Sequence, residues 1–531
     1  MQKKNLFASA ILMLCTLFVF TGCKEVMSSL DNPVSAYLKI TEPAKTIAKS
    51  ESFSVKDCYT TISDATPKFT TSAENIATVD ANGKVKGISA GKAIITIEIP
   101  ATDYYEAATG QVEVTVDALL AIDAFNLHFP SDAKKTKNLF TDYHLSTKSD
   151  AAIQLAASEG SDKVFTLDPN TGDITPVHSG NGSIKISVPA TASYVAEEMT
   201  VDVKVRVQDR TQLDAEVADG AEIWLDGMID GWIDLSTTLS LADKKITLTS
   251  DKESPATIKI SESIEVNSDL TLENLNIDGT GLGNSKPFIK MVTTTKKAQK
   301  KDGSASTQLL FGDIVMKNVK MSNLNYTVLS CTLGGFFNKV NIEDCIINLT
   351  GNSNMFHFGT SFAEDFTIKN STLYSKTGHT GYLIKSDGRP GTNMGYGDDD
   401  VVGVTLDHVT MYQIAKGKQM NNSNGNMKGK KYMHQTMKDC ILVYSGNHSA
   451  AVRGWMFGQN SNAPTMKYDK NTYWNDADYS ATWTNSANQG YDASGTVLTT
   501  DPNFKDPANG DFTPQGADQV AKQTGDPRWL K

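Results

Sequence analysis

One short unit recurs through the C-terminal part of the chain and limits the fold more than any other feature. Six copies read LENLNID, MKNVKMS, IEDCIIN, IKNSTLY, LDHVTMY and MKDCILV, and they begin at Leu272, Met316, Ile342, Ile368, Leu406 and Met437. Their third residues, which lie 44, 26, 26, 38 and 31 residues apart, are Asn274, Asn318, Asp344, Asn370, His408 and Asp439. A unit that returns at this spacing predicts a solenoid of stacked coils.

The chemistry of each place in the unit predicts its orientation. Apolar residues at the first and sixth places can point inward, whereas the polar third place suits a turn in which an Asx side chain bonds nearby backbone. These turns should stack into a ladder. We therefore interpret His408 as a structural member of this ladder in preference to a catalytic base. Cys345 and Cys440 share the fourth place, which favours stacked core residues over reactive thiols.

This pattern resembles the right-handed parallel β-helix of pectin-lyase-like proteins. More narrowly, it resembles uncharacterised β-helical lipoproteins that glycan-harvesting Gram-negative bacteria encode beside outer-membrane sugar importers, and the closing GDPRWL is similar to the ending common in that group. We expect the β-helix over residues 218–463 and its C-terminal end and cap over 464–531. The resemblance implies a polysaccharide ligand and an outer-membrane sugar-import complex as partners.

The N-terminal region shows a different repeat. The stretch ENIATVDANGKVKGISAGKAIITI, with an Asn-Gly turn at Asn82 and Gly83, resembles bacterial immunoglobulin-like domains. A second copy follows at a distance of 89 residues, which pairs Pro100 with Pro189, Thr102 with Thr191, and Tyr105 with Tyr194. We therefore predict an all-β chain with two immunoglobulin-like β-sandwiches, over 36–117 and 118–208, followed by a right-handed parallel β-helix. The sandwiches are spacers or glycan-binding modules, and the absence of an aromatic cluster favours spacers.

The first residues predict export and lipid attachment. Lys3 and Lys4 precede an apolar stretch, and Thr21 and Gly22 stand directly before Cys23. The order of basic, apolar and small residues is that of a signal peptide, and the FTGC segment resembles a bacterial lipobox. We predict a signal peptide over 1–22, a lipidated Cys23 and a linker over 23–35, with a lipid-anchored chain at the outer membrane, on the cell surface. The alternatives are an ordinary cleaved signal and a membrane-spanning anchor, for which the apolar run is short.

Charge and cysteine content exclude several classes of function. Without residues 1–22 the chain holds 48 basic and 61 acidic residues, a net charge of −13, which argues against nucleic acid as a partner. The remaining cysteines, besides Cys15 and Cys23, form no CxxC pair that would indicate zinc or redox chemistry; they are Cys58, Cys331, Cys345 and Cys440.

An aromatic, polar segment near the C-terminus predicts sugar binding. Flat aromatic rings stack on the apolar faces of sugars, and neighbouring amides and arginines bond the hydroxyl groups. The candidate glycan-binding residues are Arg453, Trp455, Tyr473, Trp474, Tyr479 and Trp483. The alternative is that these rings cap the open end of the β-helix.

Three inserted loops, over 291–308, 375–401 and 415–435, should project from one face of the solenoid. The first and third are rich in lysine and are interpreted as solvated loops, with an acidic sugar as the alternative ligand. The middle loop carries a weak lyase signature: Asp398, Asp399 and Asp400 are candidate calcium ligands, and Arg389 and Lys385 are candidate bases. The same three aspartates also fit a solvated turn.

Composition and repeat alone predict an envelope-anchored β-solenoid. The family resemblance further implies a non-catalytic, cell-envelope lipoprotein that binds a complex polysaccharide for a glycan-utilisation system. The first alternative is a pectate-lyase-like polysaccharide lyase that acts on uronate-containing glycans and requires calcium. The second alternative is a surface adhesin or structural protein.

Overall fold

The computed structural model describes residues 34–531 with gaps at 118, 123–126, 132–135, 193, 229–232, 389–392, 419, 424–430, 447–455, 458–464 and 476–490. The predicted signal peptide, the lipidation of Cys23 and the start of the linker lie outside the described residues. The described chain divides into two compact units. The first comprises residues up to Ala121 with Ser146–Ala152 and Val188–Glu197, and the second holds the rest. Among the described residues, no helix combines the length and the apolar character needed to cross a bilayer.

The first unit contains a β-sandwich whose strands alternate between core and solvent. Its four-stranded sheet runs in the order Ala44–Ala48, Ala108–Asp117, Gly91–Ile99 and Lys68–Thr71, and its three-stranded sheet in the order Ser52–Ser54, Lys84–Gly87 and Ala77–Val79. Lys39–Ile40 pairs with Tyr59–Thr60 after a short 3-10 helix over Val55–Cys58, and Leu120–Ala121 pairs with Ser146–Thr147. The predicted Asn-Gly turn is present, because Asp80 accepts the backbone N–H of Asn82 at 2.9 Å and Gly83 has φ of 81°.

A second sandwich repeats this plan. Its four-stranded sheet runs in the order Leu127–Pro130, Glu197–Arg206, Gly180–Val188 and Gln154–Ala157, and its three-stranded sheet in the order Lys137–Asn138, Asp173–Pro176 and Phe165–Leu167. Its turn also repeats that of the first sandwich: Asp168 accepts the N–H of Asn170 at 2.8 Å, and Gly172 has φ of 77°. The internal repeat read from the sequence is therefore a structural repeat.

The second sandwich is joined to the β-helix through a buried arginine. Arg206, at the end of strand Glu197–Arg206, is fully buried, and its Nε and Nη2 donate to Asp251 at 3.0 and 2.9 Å. Its Nη1 donates to the Gly180 carbonyl at 2.8 Å, and its guanidinium lies 4.8 Å from the centre of the Trp224 ring. A helix over Arg210–Glu216 then leads into the first coil.

Most of the remaining strands lie on three parallel faces, arranged as an 18-stranded and an eight-stranded sheet, which together make a parallel β-helix and confirm the predicted fold class. The first face consists of Ala221–Leu225, Ile246–Ser250, the first part of Leu270–Asp278, the first part of Ile314–Leu324, Gly335–Glu343, Phe362–Lys369, Val402–Asp407, Met433–Lys438 and Thr465–Asp469. The second consists of Ile233–Leu235, Ala256–Ile260, the later parts of Leu270–Asp278 and Ile314–Leu324, Ile346–Leu349, Thr372–Tyr374, Thr410–Tyr412, Ile441–Val443 and Thr472–Trp474. The third consists of Leu239–Ser240, Ile264–Val266, Ile289–Met291, Leu329–Ser330, Phe356–Gly359, Ile384–Ser386, Asn421–Ser423 and Met456–Phe457.

Apolar side chains fill the inside of the coils in stacked rows. The first and sixth places of the six aligned units are all buried, as predicted, from Leu272 and Ile277 to Met437 and Leu442. A run of phenylalanines continues this packing across several coils: the ring centres of Phe311 and Phe337 lie 5.3 Å apart, and those of Phe337 and Phe358 lie 5.7 Å apart. A single coil cannot bury its apolar side chains by itself, so the fold is stabilised by the continuous core that the stacked coils form.

The chain bends between the first and second faces at the third place of each unit, and the stacked bends form what we call the turn ladder. Every ladder residue is left-handed, with φ between 47° and 55°; the residues are Asn274, Asn318, Asp344, Asn370, His408, Asp439 and Lys470. Asn and Asp tolerate this conformation better than other residues with a Cβ, which explains their prevalence here. The Asn318 amide donates to the Asn274 side-chain oxygen at 2.8 Å, so neighbouring coils are bonded along the ladder.

Replacing a ladder asparagine with valine should test the cost of this conformation. We expect Asn318→Val to be less stable than Asn318→Gly by about 1–2 kcal/mol, because glycine adopts positive φ without strain while a β-branched residue does not. Both variants lose the bond to Asn274, so the difference between their free energies of unfolding measures the cost of the left-handed backbone conformation alone. Urea denaturation followed by far-ultraviolet circular dichroism measures it, and equal midpoints would show that φ does not select the residue.

The C-terminal residues return along the outside of the β-helix. An antiparallel pair, Phe504–Asp506 with Asp511–Pro514, precedes a helix over Ala517–Lys522 and a 3-10 turn over Pro527–Trp529. Phe512 is fully buried against outward-facing rings of the second face, with ring centres 5.0 Å from Tyr374 and 5.7 Å from Tyr412. We call residues 525–530 the C-terminal strap.

Candidate functional site: a polar groove on the turn ladder

A groove of about 600 Å³ runs along the N-terminal half of the turn ladder. Its floor consists of ladder residues, which are Asn274, Asn318, Asp344 and Asn370. Its sides consist of Lys252, Glu273 and Lys317 from the coils, and Asp526, Pro527, Arg528 and Lys531 from the C-terminal segment. Since adjacent parallel strands are about 4.8 Å apart, the four floor residues extend over about 14 Å along the helix axis. We call this the ladder groove.

The groove is rich in hydrogen-bonding groups of both kinds and carries no dominant charge. The cationic side chains of the groove are offset by Glu273, Asp344 and Asp526; they are Lys252, Lys317, Arg528 and Lys531. Lys317 lies only 3.7 Å from Glu273. The amide side chains offer a donor and an acceptor each. A surface of this composition suits a ligand that is itself a mixed donor and acceptor, as a chain of hydroxyl groups is, better than a polymer of one charge.

The strap forms one wall because its polar groups are bonded to successive coils. Gly525 N–H donates to the Asp439 carbonyl at 2.7 Å, and Asp526 N–H donates to the Thr410 hydroxyl at 2.9 Å. The Thr372 hydroxyl donates to the Asp526 carboxylate at 2.7 Å and accepts the indole N–H of Trp529 at the same distance. Burial raises the pKa of Asp526, although Arg528 opposes this effect. In the sequence, the strap is recognisable only as an ending common in the group that the chain resembles. Nothing in its pattern indicates that it runs along the turn ladder.

The other half of the ladder carries a charge network. Asp407, His408 and Asp439 present ligand atoms within 4.8 Å of one another, a spacing that could hold a metal ion. However, the ammonium groups of Lys438 and Lys470 both lie 3.4 Å from the Asp439 carboxylate. Because these two cations already neutralise the Asp439 carboxylate and the His408 ring already bonds Asp407 at 2.6 Å, the cluster is explained as an ion-pair network, and His408 is a ladder member as predicted.

The candidate lyase residues are not gathered into a described site. Asp398 pairs with Lys431 at 3.0 Å with its side chain largely exposed, Asp399 is exposed, and Asp400 accepts the Gly397 N–H at 2.8 Å within the same turn. Lys385 pairs with Asp387 at 2.9 Å. The aspartates therefore have the geometry of a solvated turn, and Arg389 lies outside the described residues.

The aromatic segment is described only in part. Tyr473 is fully buried in the core and its hydroxyl donates to Asp492 at 2.9 Å, so its ring cannot stack on a sugar and this part of the prediction is wrong. The reason is that Tyr473 occupies the inward sixth place of a seventh unit, YDKNTYW, whose ladder residue is Lys470. Trp474 is half-buried at the end of the same strand. The other candidates, Arg453, Trp455, Tyr479 and Trp483, lie outside the described residues.

The three inserted loops pack together on one side of the β-helix. Ala298 of the first loop, Met394 and Tyr396 of the second, and Tyr432 of the third share one buried apolar cluster. Lys301 N–H donates to the Met394 carbonyl at 2.9 Å, which ties the first two loops directly. Burial raises the pKa of the Tyr396 hydroxyl, as expected for a packed ring. The same cluster includes Phe336 and Phe362 of the first face, so the insertions pack together on the outside of the coils.

The cysteines behave as core residues. Cys58, Cys331, Cys345 and Cys440 are all free and buried. Burial raises the pKa of both Cys345 and Cys440 to about 12, so these thiols stay protonated and unreactive at neutral pH.

Several known structures are similar to about a third of the chain at low sequence identity. The S-layer protein rSbsC(31-844) is 17% identical, with 29% of this chain and 21% of that chain covered and a TM-score of 0.13. Human protocadherin-24 EC1-2 is 10% identical, with 32% and 96% covered and a TM-score of 0.15. Drosophila N-cadherin EC1-3 is 11% identical, with 33% and 68% covered and a TM-score of 0.16. The chain thus spans about a fifth of the length of the S-layer structure (21%).

Family comparisons match three separate segments of the chain. No curated protein matches it. Residues 228–376 match a domain of unknown function, DUF4957, and residues 404–529 match a second, DUF5123. The ladder groove draws residues from both of these segments. Residues 35–103 match the bacterial Ig-like domain, group 2, so the chain carries a bacterial Ig-like domain at its N-terminal side, ahead of a β-helix that lies largely within two domain families of unknown function.

Proposed function

We propose that this protein is a non-catalytic, lipid-anchored protein of the outer membrane that binds a complex polysaccharide at the cell surface, in partnership with a sugar-import complex. The observation that carries the binding proposal is the ladder groove, where amide and charged side chains of both signs line a path of about 14 Å along the helix axis. Such a path fits an extended chain of hydroxyl-bearing rings. The envelope location and the partner rest on the FTGC segment at Cys23 and on the family resemblance.

Removal of the groove amides should weaken glycan binding. We expect the purified chain to be retarded in affinity electrophoresis by at least one of four polysaccharides: a mixed-linkage β-glucan, glucuronoxylan, polygalacturonate or chondroitin sulfate. The variant Asn274→Gly/Asn318→Gly keeps the left-handed turns but loses two bonding groups. Its dissociation constant should therefore rise by about thirtyfold, since the two lost hydrogen bonds are worth about 1 kcal/mol each.

A matched pair of lysines supplies the control. Lys317 lines the groove, whereas Lys320, three residues later on the same strand, is exposed but does not line it. Lys317→Gln should weaken binding and Lys320→Gln should not. Equal effects of the two changes, or unchanged binding of the double glycine variant, would place the site elsewhere. New ultraviolet absorbance from unsaturated sugars would favour the lyase alternative instead.

The anchor is tested with the same polysaccharide on intact cells. Labelled glycan should be retained by cells that make the wild-type chain and lost from cells that make Cys23→Ala, which cannot be acylated. Retention by both cell types would remove the support for a lipid anchor at Cys23.

A further inference from the structure

The C-terminal strap is held along the turn ladder by a series of hydrogen bonds. Its residues bond in succession to Asp439, Thr410, Thr372 and Asn370, which belong to three neighbouring coils and run toward the ladder groove. Gly525 has φ of 88°, and a Cβ there would lie 2.8 Å from Ile441 and Thr410, so the strap enters this path at a position that only glycine fits well. The strap is consequently held in one place along the ladder.

Within the strap, Asp526 holds Arg528 in a defined orientation. The Asp526 carboxylate is almost fully buried and accepts from the Arg528 Nε at 2.8 Å and from its backbone N–H at 3.1 Å. The Arg528 Nη2 donates to the Asn370 carbonyl at 3.2 Å. Among the described residues, the Nη1 group of Arg528 makes no hydrogen bond, and this side chain lines the groove. One arm of a fixed guanidinium is thus available to a ligand.

We propose that the strap is a working part of the polysaccharide site, in which Arg528 donates to the bound glycan and Asp526 positions it, so that glycan binding and strap docking stabilise each other. This inference rests on the function proposed above. Two sites that share a docked element must be coupled in both directions: the ligand holds the strap, and a looser strap weakens the ligand. A guanidinium held by a carboxylate also loses little side-chain freedom on binding, which favours affinity.

The alternative is a strap that only seals the outside of the β-helix. It predicts that changes in the strap alter stability without altering affinity. Arg210 provides a matched control, because it is likewise half-buried, with 23% of its side chain exposed against 27% for Arg528, and pairs with an aspartate, Asp214, at 2.8 Å. It does not line the ladder groove.

The test combines affinity with hydrogen–deuterium exchange of the strap amides in the full chain, using whichever of the four polysaccharides is retained most strongly. Glycan should slow exchange in residues 525–530 of the wild type. Arg528→Gln should raise the dissociation constant by about tenfold, the loss of one charge-assisted bond, while exchange in the free protein stays unchanged. Asp526→Asn should both weaken binding and speed strap exchange, and Arg210→Gln should do neither.

The outcomes separate this inference from the function on which it rests. If Arg528→Gln binds as the wild type while Asn274→Gly/Asn318→Gly does not, the groove binds glycan but the strap is only structural, and the inference is overturned. If glycan binds but leaves strap exchange unchanged, the coupling is overturned. If the wild-type chain retains none of the four polysaccharides, the result counts against both proposals.

Discussion

Replacing Arg206 with methionine is expected to lower the free energy of unfolding of the second unit by about 3–5 kcal/mol, the usual effect of removing one partner of a buried ion pair. The Asp251 carboxylate would lose its main cation, and the Gly180 carbonyl would lose its donor. Lys204, which also contacts Asp251 at 3.1 Å, would compensate only in part. Urea denaturation followed through tryptophan fluorescence is well suited, because the Trp224 ring lies against the guanidinium.

A second variant distinguishes the loss of the arginine from the exposure of its partner. Arg206→Met/Asp251→Leu removes both charges, and we expect it to be more stable than Arg206→Met alone, because no carboxylate is then left without its partner. Lys185→Ala, which breaks an exposed pair with Glu198, should change stability little. A double variant as unstable as the single one would show that packing against Trp224, not the ion pair, carries the effect.

Truncating Phe337 to alanine is expected to cost about 3–5 kcal/mol, since a buried phenylalanine leaves a cavity that a closely packed core cannot refill. Its ring is fully buried between those of Phe311 and Phe358. The midpoint of urea denaturation, followed by circular dichroism, measures the loss. Leu333→Ala, at a side chain that is 43% exposed four residues earlier, should have little effect. Comparable losses at the two positions would mean that the phenylalanine row is not a continuous core.

The β-helix could be predicted because its turns and its core use different places of one unit. Asn318 and Asp344 marked the turns, and Met316 and Ile342 marked the interior, so the polar ladder and the buried rows both followed from alignment. The seventh unit was missed because Lys470 replaced the usual Asn, Asp or His. Its distance of 31 residues from Asp439 equals the preceding step and would have revealed it, and Tyr473 would then have been assigned to the core.

The ladder groove could not be predicted because its walls come from distant parts of the chain. Asn274 and Arg528 are separated by 254 residues, nearly half of the sequence, and only the path of the strap brings them to the same groove. That path depends on the hydrogen bonds that Asp526 accepts from Thr372 and donates to Thr410, which leave no periodic pattern in the sequence. The projection of the inserted loops from one face was expected from general solenoid geometry, but the buried cluster that Ala298, Tyr396 and Tyr432 share was not.

In this fold, the number of residues in a coil does not change the distance between that coil and its neighbours along the helix axis. Consecutive ladder residues are 26 to 44 residues apart in the chain, yet each coil still pairs in parallel with the next one. Additional residues therefore leave the coil sideways, as in the hairpin of Lys297–Gln299 with Ala305–Phe311, and do not disturb the register of the neighbours. The exposed turn around Gly303 is thus a place where the chain could acquire new sequence, and a new surface, while the row of side chains in the groove keeps its spacing.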